Sequence, residues 1–225
     1  DPSKANQKIK TAIKKTAGKI LTWNNKPINT VYHATNGGVM ASIEEAWSTN
    51  PVSYLQMRLD GPKSWSNKVD LPLSNQKYLK SFLLSKSEAF GSDHPLFRWN
   101  RTLDASQISK QLNQAQKVSS SFYPKKIKTI SRGTSGRVTS LKIEGNSGSA
   151  IFLKVDEIRR VLRQLPSTLF VVKEIKEGKW LFSGGGFGHG VGMSQSGAID
   201  LAKNGWNTKQ ILSHYYPKTK YGFLP

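Results

Sequence analysis

The sequence contains no cysteine, comparatively few acidic residues and no long apolar segment. Without cysteine the chain cannot form disulfide bonds, use a thiol nucleophile or bind a metal through thiolates. No stretch approaches the roughly 18 consecutive apolar residues that a membrane-spanning helix requires. The start of the chain, DPSKANQKIK, lacks the apolar core of an export signal. We therefore expect no membrane span, and an export signal that was either never present or already removed.

Basic residues dominate the charge of this chain. The 34 Lys and Arg residues outnumber the 14 Asp and Glu residues, which gives a formal net charge of +20. A field of this size attracts polyanions such as nucleic acid, an acidic lipid surface or an anionic wall polymer, and the charge alone does not distinguish among them. Because no recognised nucleic-acid-binding motif is present, we do not expect nucleic acid to be the partner.

Length and composition favour one folded domain over residues 1–225. The chain is 36% hydrophobic and 10% aromatic, which suffices for a sizeable core. Short stretches rich in β-branched residues are interspersed with amphipathic ones, so we predict an α+β fold with a mixed, mainly antiparallel sheet and short helices. Residues 50–102 are rich in Ser, Pro, Trp and Lys and have no sustained period, which predicts an irregular lobe.

Turn and capping residues predict the bounds of several elements. Hairpins are predicted over residues 18–38, turning at Asn24 and Asn25, and over 168–184, turning at Glu177 and Gly178. Further strands are predicted over 127–132, 137–145 and 149–155. Predicted helices cover 75–85, 105–116, 156–165, 197–205 and 207–216, with N-caps at Asp104 or Ser106 and at Asn207 or Thr208.

The stretch FSGGGFGHGVGMSQSGA, residues 182–198, is unusually rich in glycine and has no charged residue. It lacks the spacing of a dinucleotide-binding loop and of a P-loop. In an extended segment, alternate glycines at 186, 188, 190 and 192 would leave one face without side chains. Either a flat ligand such as a sugar ring or a neighbouring backbone could lie against that face, and His189 could be a ligand contact or a buried structural histidine.

Four segments resemble, in the same order, the SpoIID family of bacterial cell-wall proteins, which includes stage II sporulation protein D and amidase enhancers. The segments are AGKILTWNNKPINTVYHATNGGVMASIEEAW, SRGTSGRVTSLKIEG, LPSTLF and GGGFGHGVGMSQSGAIDLAKNGWNTKQILSHYYPKT. Together they cover about residues 17–218. The last of them, which contains the glycine-rich stretch, is long and specific.

The resemblance implies an extracytoplasmic protein, in the periplasm, the cell wall or the secreted fraction, that acts on peptidoglycan glycan strands. The implied activity is that of a lytic transglycosylase, which cleaves denuded glycan and leaves 1,6-anhydro-muramic ends. This chemistry needs one carboxylic acid that donates a proton and later takes one back. The alternative is a non-catalytic module that binds peptidoglycan or an anionic polymer, or that enhances a cell-wall amidase.

The chain departs from the family pattern at the expected catalytic acid. Family members carry this acid in a Glu-Met-Pro-like segment that has no counterpart here. Either a missing N-terminal fragment supplies the acid, or the chain binds glycan without cutting it. Within the chain, Glu44 and Glu45 are the candidate catalytic acids, although an adjacent acidic pair also fits a solvated helix face.

The matched motifs supply the other candidate site residues. His33 and His189 stand at motif centres, so we expect one of them to orient the catalytic acid and the other to hold a sugar substituent. His214 belongs to the closing motif and is interpreted as a packing residue. The predicted substrate-binding residues are Tyr32, Asn36, Gly37, Gly38, Trp47, Gly188, Gly190, Ser194 and Gln195.

A zinc site would need ligands from distant parts of the chain. His33, His189 and either Glu44 or Glu45 could in principle form a site of two histidines and one carboxylate. The sequence has no His-Glu-x-x-His motif and no cysteine. We therefore expect no metal cofactor.

Overall fold

The computed structural model describes residues 6–85 and 87–223 and shows a mixed α+β fold, which confirms the predicted class. The strands are β1 (Lys19–Trp23), β2 (Lys26–Pro27), β3 (Tyr32–His33), β4 (Val39–Met40), β5 (Arg58–Leu59), β6 (Arg98–Asp104), β7 (Pro124–Arg132), β8 (Val138–Gly145), β9 (Ala150–Lys154), β10 (Phe170–Lys176), β11 (Lys179–Gly185), β12 (Met193–Ser194) and β13 (Lys220–Phe223). Most strands in this part of the chain pair in antiparallel fashion, in small sheets.

The helices are short, as the sequence predicts. They are α1 (Gln7–Thr16), α2 (Glu44–Trp47), α3 (Lys63–Ser66), α4 (Gln76–Leu84), α5 (Ala105–Gln114), α6 (Glu157–Val161), α7 (Gln195–Lys203) and α8 (Thr208–Tyr215). Asp104 caps α5 and Asn207 caps α8, each through a reciprocal capping box with the residue three positions on. None of the helices within the described ranges is long and apolar enough to cross a membrane.

Two three-stranded sheets and two helices enclose one cluster of buried apolar residues. The sheets have the strand orders β10-β11-β6 and β7-β8-β9, and α5 and α6 pack with them. In β11 the buried Trp180 and Phe182 alternate with less buried residues, which is the period of a strand with one face on the core. The central members of the cluster are Leu103, Ile108, Leu112, Leu141, Ile143, Leu153, Phe170, Trp180 and Phe182.

The irregular lobe of residues 50–102 contributes to the core as well as to the surface. Its elements are short: β5, α3, α4 and the beginning of β6. Trp65, Leu73 and Phe82 are buried in a separate cluster together with Val39 and Leu169 from outside the lobe. The segment is therefore irregular in backbone but packed against the remainder of the chain.

Two short pairings bring the His33 segment against the glycine-rich stretch. Strand β3 pairs with β12 in parallel, with His33 opposite Ser194. Isolated bridges then join Thr35 to Phe187 and Ala41 to Val191. The first and fourth family-like segments thus combine: residues 32–41 and 187–194 share one backbone framework, and this framework holds both histidines.

The hairpin predicted over residues 18–38 is only partly correct. The turn at Asn24 and Asn25 is confirmed, with φ values of 50° and 59°. The second arm, however, is a strand only as far as Pro27, beyond which the Ile28 N–H makes one more bond to the Leu21 carbonyl at 3.0 Å. The chain then leaves β1, and β3 pairs with β12 instead.

The helix predicted over residues 156–165 is also shorter than expected. It ends at Val161, and Leu162 has non-helical dihedral angles of φ −85° and ψ 72°. Leu162 and Leu165 turn into the core, where both are buried. Burial of these two side chains therefore outweighs the local preference for helix, and Pro166 does not end the helix as predicted.

Candidate functional site

The two histidines at the motif centres meet beside α2. The ring centroids of His33 and His189 are 5.3 Å apart in an edge-to-face arrangement. The indole of Trp47 lies against His189 with a centroid distance of 4.7 Å. His33 is buried, His189 is half-buried and Trp47 is exposed at the surface. Three predicted site residues from two distant parts of the chain thus form one cluster.

Backbone groups fix the tautomer of each imidazole. His189 Nδ1 accepts the Val191 N–H at 3.1 Å, so Nε2 carries the proton and donates to the Tyr32 carbonyl at 2.9 Å. His33 Nδ1 donates to the Val191 carbonyl at 3.1 Å. The Nε2 atom of His33 is then a buried acceptor, and it has no hydrogen-bond partner among the described residues. His189 therefore has no free ring nitrogen for proton transfer, whereas His33 retains one.

Both imidazoles are held in the neutral form. Burial lowers the pKa of His33 well below its usual range, and the neighbouring His189 and Arg137 lower this pKa further. Burial also lowers the pKa of His189 to about 4, although the Tyr32 carbonyl and the charge of Asp156 act in the opposite direction. Asp156 is itself buried and paired with Arg159, at 2.6 Å from Oδ1 to Nε. Neutral rings suit uncharged ligand groups better than an anionic ligand.

These depressed pKa values predict that the protein loses stability in mild acid. Histidine side chains in the unfolded chain have a pKa of about 6.5, so below this pH the unfolded state binds more protons than the folded state. The free energy of unfolding should be fully retained above about pH 6.5 and should fall as the pH drops towards about 4. Denaturant titrations across this range will measure the slope, and His189→Gln should make the slope shallower. An unchanged slope in the variant would show that His189 is not buried in its neutral form.

One exposed aromatic side chain, that of Trp47, lies against the histidine pair, and two others, Tyr32 and Phe187, belong to the segments that carry the pair. Tyr32 is 58% exposed, Trp47 38% and Phe187 43%. Tyr32 and Phe187 flank the hydrogen bonds that join residues 32–35 to residues 187–189. An exposed indole beside polar imidazoles is suited to the flat apolar face of a ligand that also carries hydrogen-bonding groups. Sequence reasoning named Tyr32 and Trp47, and it mentioned Phe187 only as part of the glycine-rich stretch.

The two candidate acids have different surroundings. Glu45 is 4% exposed, and its Oε1 accepts hydrogen bonds from Thr134 Oγ1 at 3.0 Å and from the Ser135 N–H at 3.1 Å. Its Oε2 accepts a hydrogen bond from Ser135 Oγ. Glu44 is half-buried, and its Oε2 has no hydrogen-bond partner in the described part of the chain. Glu45 is thus fully engaged inside the protein, whereas Glu44 Oε2 is a buried acceptor without a hydrogen-bond partner among the described residues.

A buried arginine joins the pieces of this framework. Arg137 is fully buried, and its Nη1 and Nη2 donate to the carbonyls of Val39 and Asn36 at 3.1 and 3.0 Å. Burial lowers the pKa of Arg137 to about 10, and the nearby Glu45 carboxylate opposes this effect. Sequence reasoning did not single out Arg137, although the residue stands in one of the four family-like segments.

The glycine-rich stretch is not an extended segment, which corrects the prediction. The glycines at 186, 188, 190 and 192 all have positive φ, between 70° and 107°. Their open sides face the protein itself: a Cβ on Gly188 would lie 2.8 Å from His33 Cβ, and one on Gly190 would collide with the Arg137 guanidinium. Cβ atoms on Gly186 and Gly192 would meet backbone atoms of Asn36 and Val31, so neighbouring side chains and backbone together fill the space beside the glycines.

The turn after His33 carries three more of the predicted substrate-binding residues. Asn36 is fully buried, and its side chain donates to Asp60 Oδ2 at 2.6 Å and accepts the Gly38 N–H at 2.8 Å. A Cβ on Gly37 would lie 2.7 Å from the Gly186 nitrogen. Asn36 and Gly37 thus fix the backbone around the histidines, and in this structure their contacts are internal.

The last two predicted substrate contacts lie at the start of α7. Ser194 is fully buried and caps the helix, since its Oγ accepts the Gly197 N–H at 3.2 Å. Gln195 is the first helical residue and is exposed. Of this pair, Gln195 has the side chain that a ligand could reach.

His214 belongs to a second buried polar group rather than to the histidine pair. Its Nε2 donates to Asp60 Oδ1 at 2.7 Å, and the Tyr215 hydroxyl donates to Asp60 Oδ2 at 3.1 Å. Asp60 thus links the Asn36 turn to the closing motif. Sequence reasoning missed Asp60, which lies in the irregular lobe without any motif around it.

Within residues 6–85 and 87–223, no group of three or more His, Asp or Glu side chains is arranged to hold a metal ion. His33 and His189 are adjacent, but both nitrogens of His189 already bond to backbone groups. Glu45 is likewise occupied by Thr134 and Ser135.

Comparisons with known proteins identify similar sequences. Residues 41–192 match a family described as a domain of unknown function, DUF8618. The chain is 30% identical to the amidase enhancer of Bacillus subtilis over 240 aligned residues and 31% identical to stage II sporulation protein D of the same organism over 216. These alignments cover 95% of the chain in both cases, but 32% and 51% of the respective relatives. Stage II sporulation protein D of Bacillus amyloliquefaciens is 28% identical, with 49% of its length covered. The chain thus spans about a third to a half of these relatives.

Proposed function

The chain belongs to the SpoIID-like family and, over residues 41–192, to the family of the domain DUF8618, and from this premise we propose that it binds peptidoglycan glycan strands outside the cytoplasm. In this proposal the protein also cleaves the strands as a lytic transglycosylase. The names of its relatives, an amidase enhancer and stage II sporulation protein D, support a role at the cell wall. The proposed site is the cluster of His33, Trp47 and His189 with the adjacent Glu44.

The observation that carries this proposal is the exposed indole of Trp47 against a pair of neutral imidazoles. Sugar rings have apolar faces that pack on aromatic side chains, and Trp47 is exposed where it lies against His189. Uncharged hydroxyl and acetamido groups can bond to neutral imidazole, and a strongly charged pocket is not needed. His33 Nε2 is the acceptor left over for such a group. Because His33 Nε2 is buried, contact with the glycan requires a small movement of the side chains that cover it.

Glu44 is the proposed catalytic acid. It lies three residues before Trp47 on α2, so the two side chains are neighbours on the helix surface. In the proposed step, the Glu44 carboxyl gives its proton to the glycosidic oxygen as the bond from this oxygen to C1 breaks. The C6 hydroxyl then attacks C1 and returns its proton to the Glu44 carboxylate, so no water is consumed. Glu45 is less suited to this role, because both of its oxygens already accept hydrogen bonds.

A second candidate function is glycan binding without cleavage. It is supported by His189, whose ring nitrogens are both bonded to backbone groups and therefore cannot assist proton transfer. In this case the chain would retain a glycan strand for a partner such as a cell-wall amidase. Trp47 would have the same role under both proposals.

Incubation with denuded glycan strands distinguishes the two functions. We expect anhydro-muramyl products by mass spectrometry, with a roughly 100-fold lower rate in Glu44→Gln, as removal of a general acid costs about this factor or more. Glu44→Gln should still retain glycan strands in a pull-down assay, whereas Trp47→Ala should weaken retention about tenfold.

The outcomes of this experiment separate cleavage from binding. Wild-type protein that retains strands without releasing products would overturn cleavage and leave the binding function. Equal product formation by wild type and Glu44→Gln would remove Glu44 as the acid. Protein that neither retains nor cleaves strands would contradict both functions.

A further inference from the structure

A groove crosses the outer face of the β10-β11-β6 sheet, next to α4. It encloses about 850 Å³ and is lined by Gln76, Lys80 and Leu84 from the helix and by Asn100 and Ser183 from the sheet. A second cavity of about 540 Å³ beside β7 shares Gln76, Val171 and Val172 with it, so the groove continues towards that strand. None of the proposed glycan-site residues lines either cavity.

The charge of the groove has one sign. Lys80, Arg101 and Lys173 line the first cavity, and none of them makes an ion pair with another of the described residues. No Asp or Glu stands among the residues that the structure places around either cavity. Arg98 also lines the groove, but its guanidinium donates to backbone carbonyls, including that of Gly37 at 2.8 Å. Arg101 gives one N–H to the Asn100 carbonyl, at 2.8 Å, and keeps its other donors. Three cations, Lys80, Arg101 and Lys173, therefore remain for a ligand.

The floor of the groove is apolar and carries a few uncharged polar groups. Leu84, at the end of α4, is 86% exposed, and Leu181 and Val171 are only partly buried. Asn100 and Ser183 lie opposite each other on neighbouring strands and are both directed to this face of the sheet. Such amides and hydroxyls can bond to the N–H and C=O groups of a peptide backbone.

We propose that this groove binds an extended acidic peptide segment of a partner protein, whose carboxylates pair with the cationic rim and whose apolar side chains cover the leucines. The cations would pair with the carboxylates of the peptide, and Asn100 and Ser183 would bond to its backbone amides. The exposed Leu84 would pack against its apolar side chains. The charge complementarity is complete, since the lining of the groove contains no acidic residue.

A fully hydrated polyanion fits the groove less well. A phosphate-rich polymer could bond to Lys80, Arg101 and Lys173, but it has no apolar groups to cover Leu84 and Leu181. An apolar peptide would leave the three cations without partners. An acidic peptide, which has both carboxylates and apolar side chains, therefore fits the groove best. This inference does not depend on whether the chain cleaves glycan.

Fluorescence anisotropy with a labelled peptide that alternates Glu and Leu tests the proposal. The double charge reversal Lys80→Glu/Lys173→Glu should weaken binding at least about tenfold, since two charge contacts become repulsive. Leu84→Ser should weaken binding by a few-fold through lost apolar contact. The matched control is Lys110→Glu/Lys209→Glu, which changes the net charge equally at exposed positions outside the groove and should bind within about twofold of wild type. All variants are surface changes, and thermal unfolding will verify that each one folds.

Several results would overturn the proposal. A Glu-Ser peptide that binds as well as the Glu-Leu peptide, with no effect of Leu84→Ser, would indicate general attraction to the positive charge of the protein. Equal losses in the groove variant and in the control variant would indicate the same. Inorganic polyphosphate that displaces the peptide and binds with the same sensitivity to Lys80→Glu/Lys173→Glu would make the groove a site for a phosphate polymer instead.

Discussion

Replacing Asp60 with alanine should lower the free energy of unfolding by about 4 kcal/mol. Asp60 is fully buried, and its carboxylate accepts hydrogen bonds from three side chains. The donors are Asn36 Nδ2, Tyr215 Oη and His214 Nε2. The substitution leaves all three donors without an acceptor. Asn36 and Tyr215 are buried, so water cannot take the place of the lost carboxylate there.

The loss should extend beyond the hydrogen bonds themselves. Burial raises the pKa of Tyr215 well above its usual range and the charge of Asp60 raises it further, so the phenol remains a donor to this carboxylate. Asn36 in turn accepts the Gly38 N–H, which fixes the turn that follows His33. We therefore expect Asp60→Ala to loosen the turn and to reduce glycan retention together with stability.

Urea denaturation followed by circular dichroism will measure the effect. Asp70→Ala is the matched control, because Asp70 is exposed and should change stability by less than about 1 kcal/mol. The loss of stability in Asp60→Asn should lie between those of Asp60→Ala and Asp70→Ala, since an amide keeps one acceptor oxygen but places new donors beside the three existing donors. A change of under about 1 kcal/mol in Asp60→Ala would contradict the role of Asp60 as a buried acceptor.

Features that depend on neighbouring residues could be predicted from the sequence. Short runs rich in β-branched and aromatic residues predict β8 and β11, and the Asp104 and Asn207 caps predict the starts of α5 and α8. The Asn24 and Asn25 turn is equally local. In each case the physical cause lies within a few residues of the element, so the sequence pattern contains it.

The framework of the site could be predicted only through the family resemblance. His214 and Tyr215 are 154 and 155 positions from Asp60, and sequence spacing carries no signal for a hydrogen bond across such a separation. Strand β3 has two residues, too few for a period. Alternate glycines are compatible with an extended strand as well as with a series of positive φ values, and the contacts with Arg137 and His33 reveal which one is present.

The same framework makes Glu45 a structural residue, and Glu45→Ala should lower the free energy of unfolding by about 4 kcal/mol. Its carboxylate accepts hydrogen bonds from Thr134 Oγ1, the Ser135 N–H and Ser135 Oγ. Gly133 lies so close that a Cβ there would collide with the carboxylate, so the loop is fitted around it. Removing the carboxylate leaves a cavity, three donors without this acceptor and the buried charge of Arg137.

The adjacent Glu44 provides the control for this prediction. Glu44→Ala removes the same kind of side chain one position earlier. Because Glu44 is half-buried and makes no side-chain hydrogen bond within the described residues, the free energy of unfolding should fall by less than about 1 kcal/mol. Urea denaturation of the two variants should therefore give clearly different midpoints. Similar midpoints would contradict the distinction between a structural Glu45 and an available Glu44.

A double-mutant cycle tests whether Glu45 also compensates Arg137. Ser135 Oγ lies between them: it donates to Glu45 Oε2 and lies 3.5 Å from Arg137 Nη1. If the carboxylate offsets the buried guanidinium, Arg137→Leu should cost less in the Glu45→Ala background than in wild type, with a coupling of about 1–3 kcal/mol. Additive losses would mean that the carbonyls of Asn36 and Val39 alone hold Arg137. The framework around the histidines would then rest on backbone hydrogen bonds rather than on a buried pair of opposite charges.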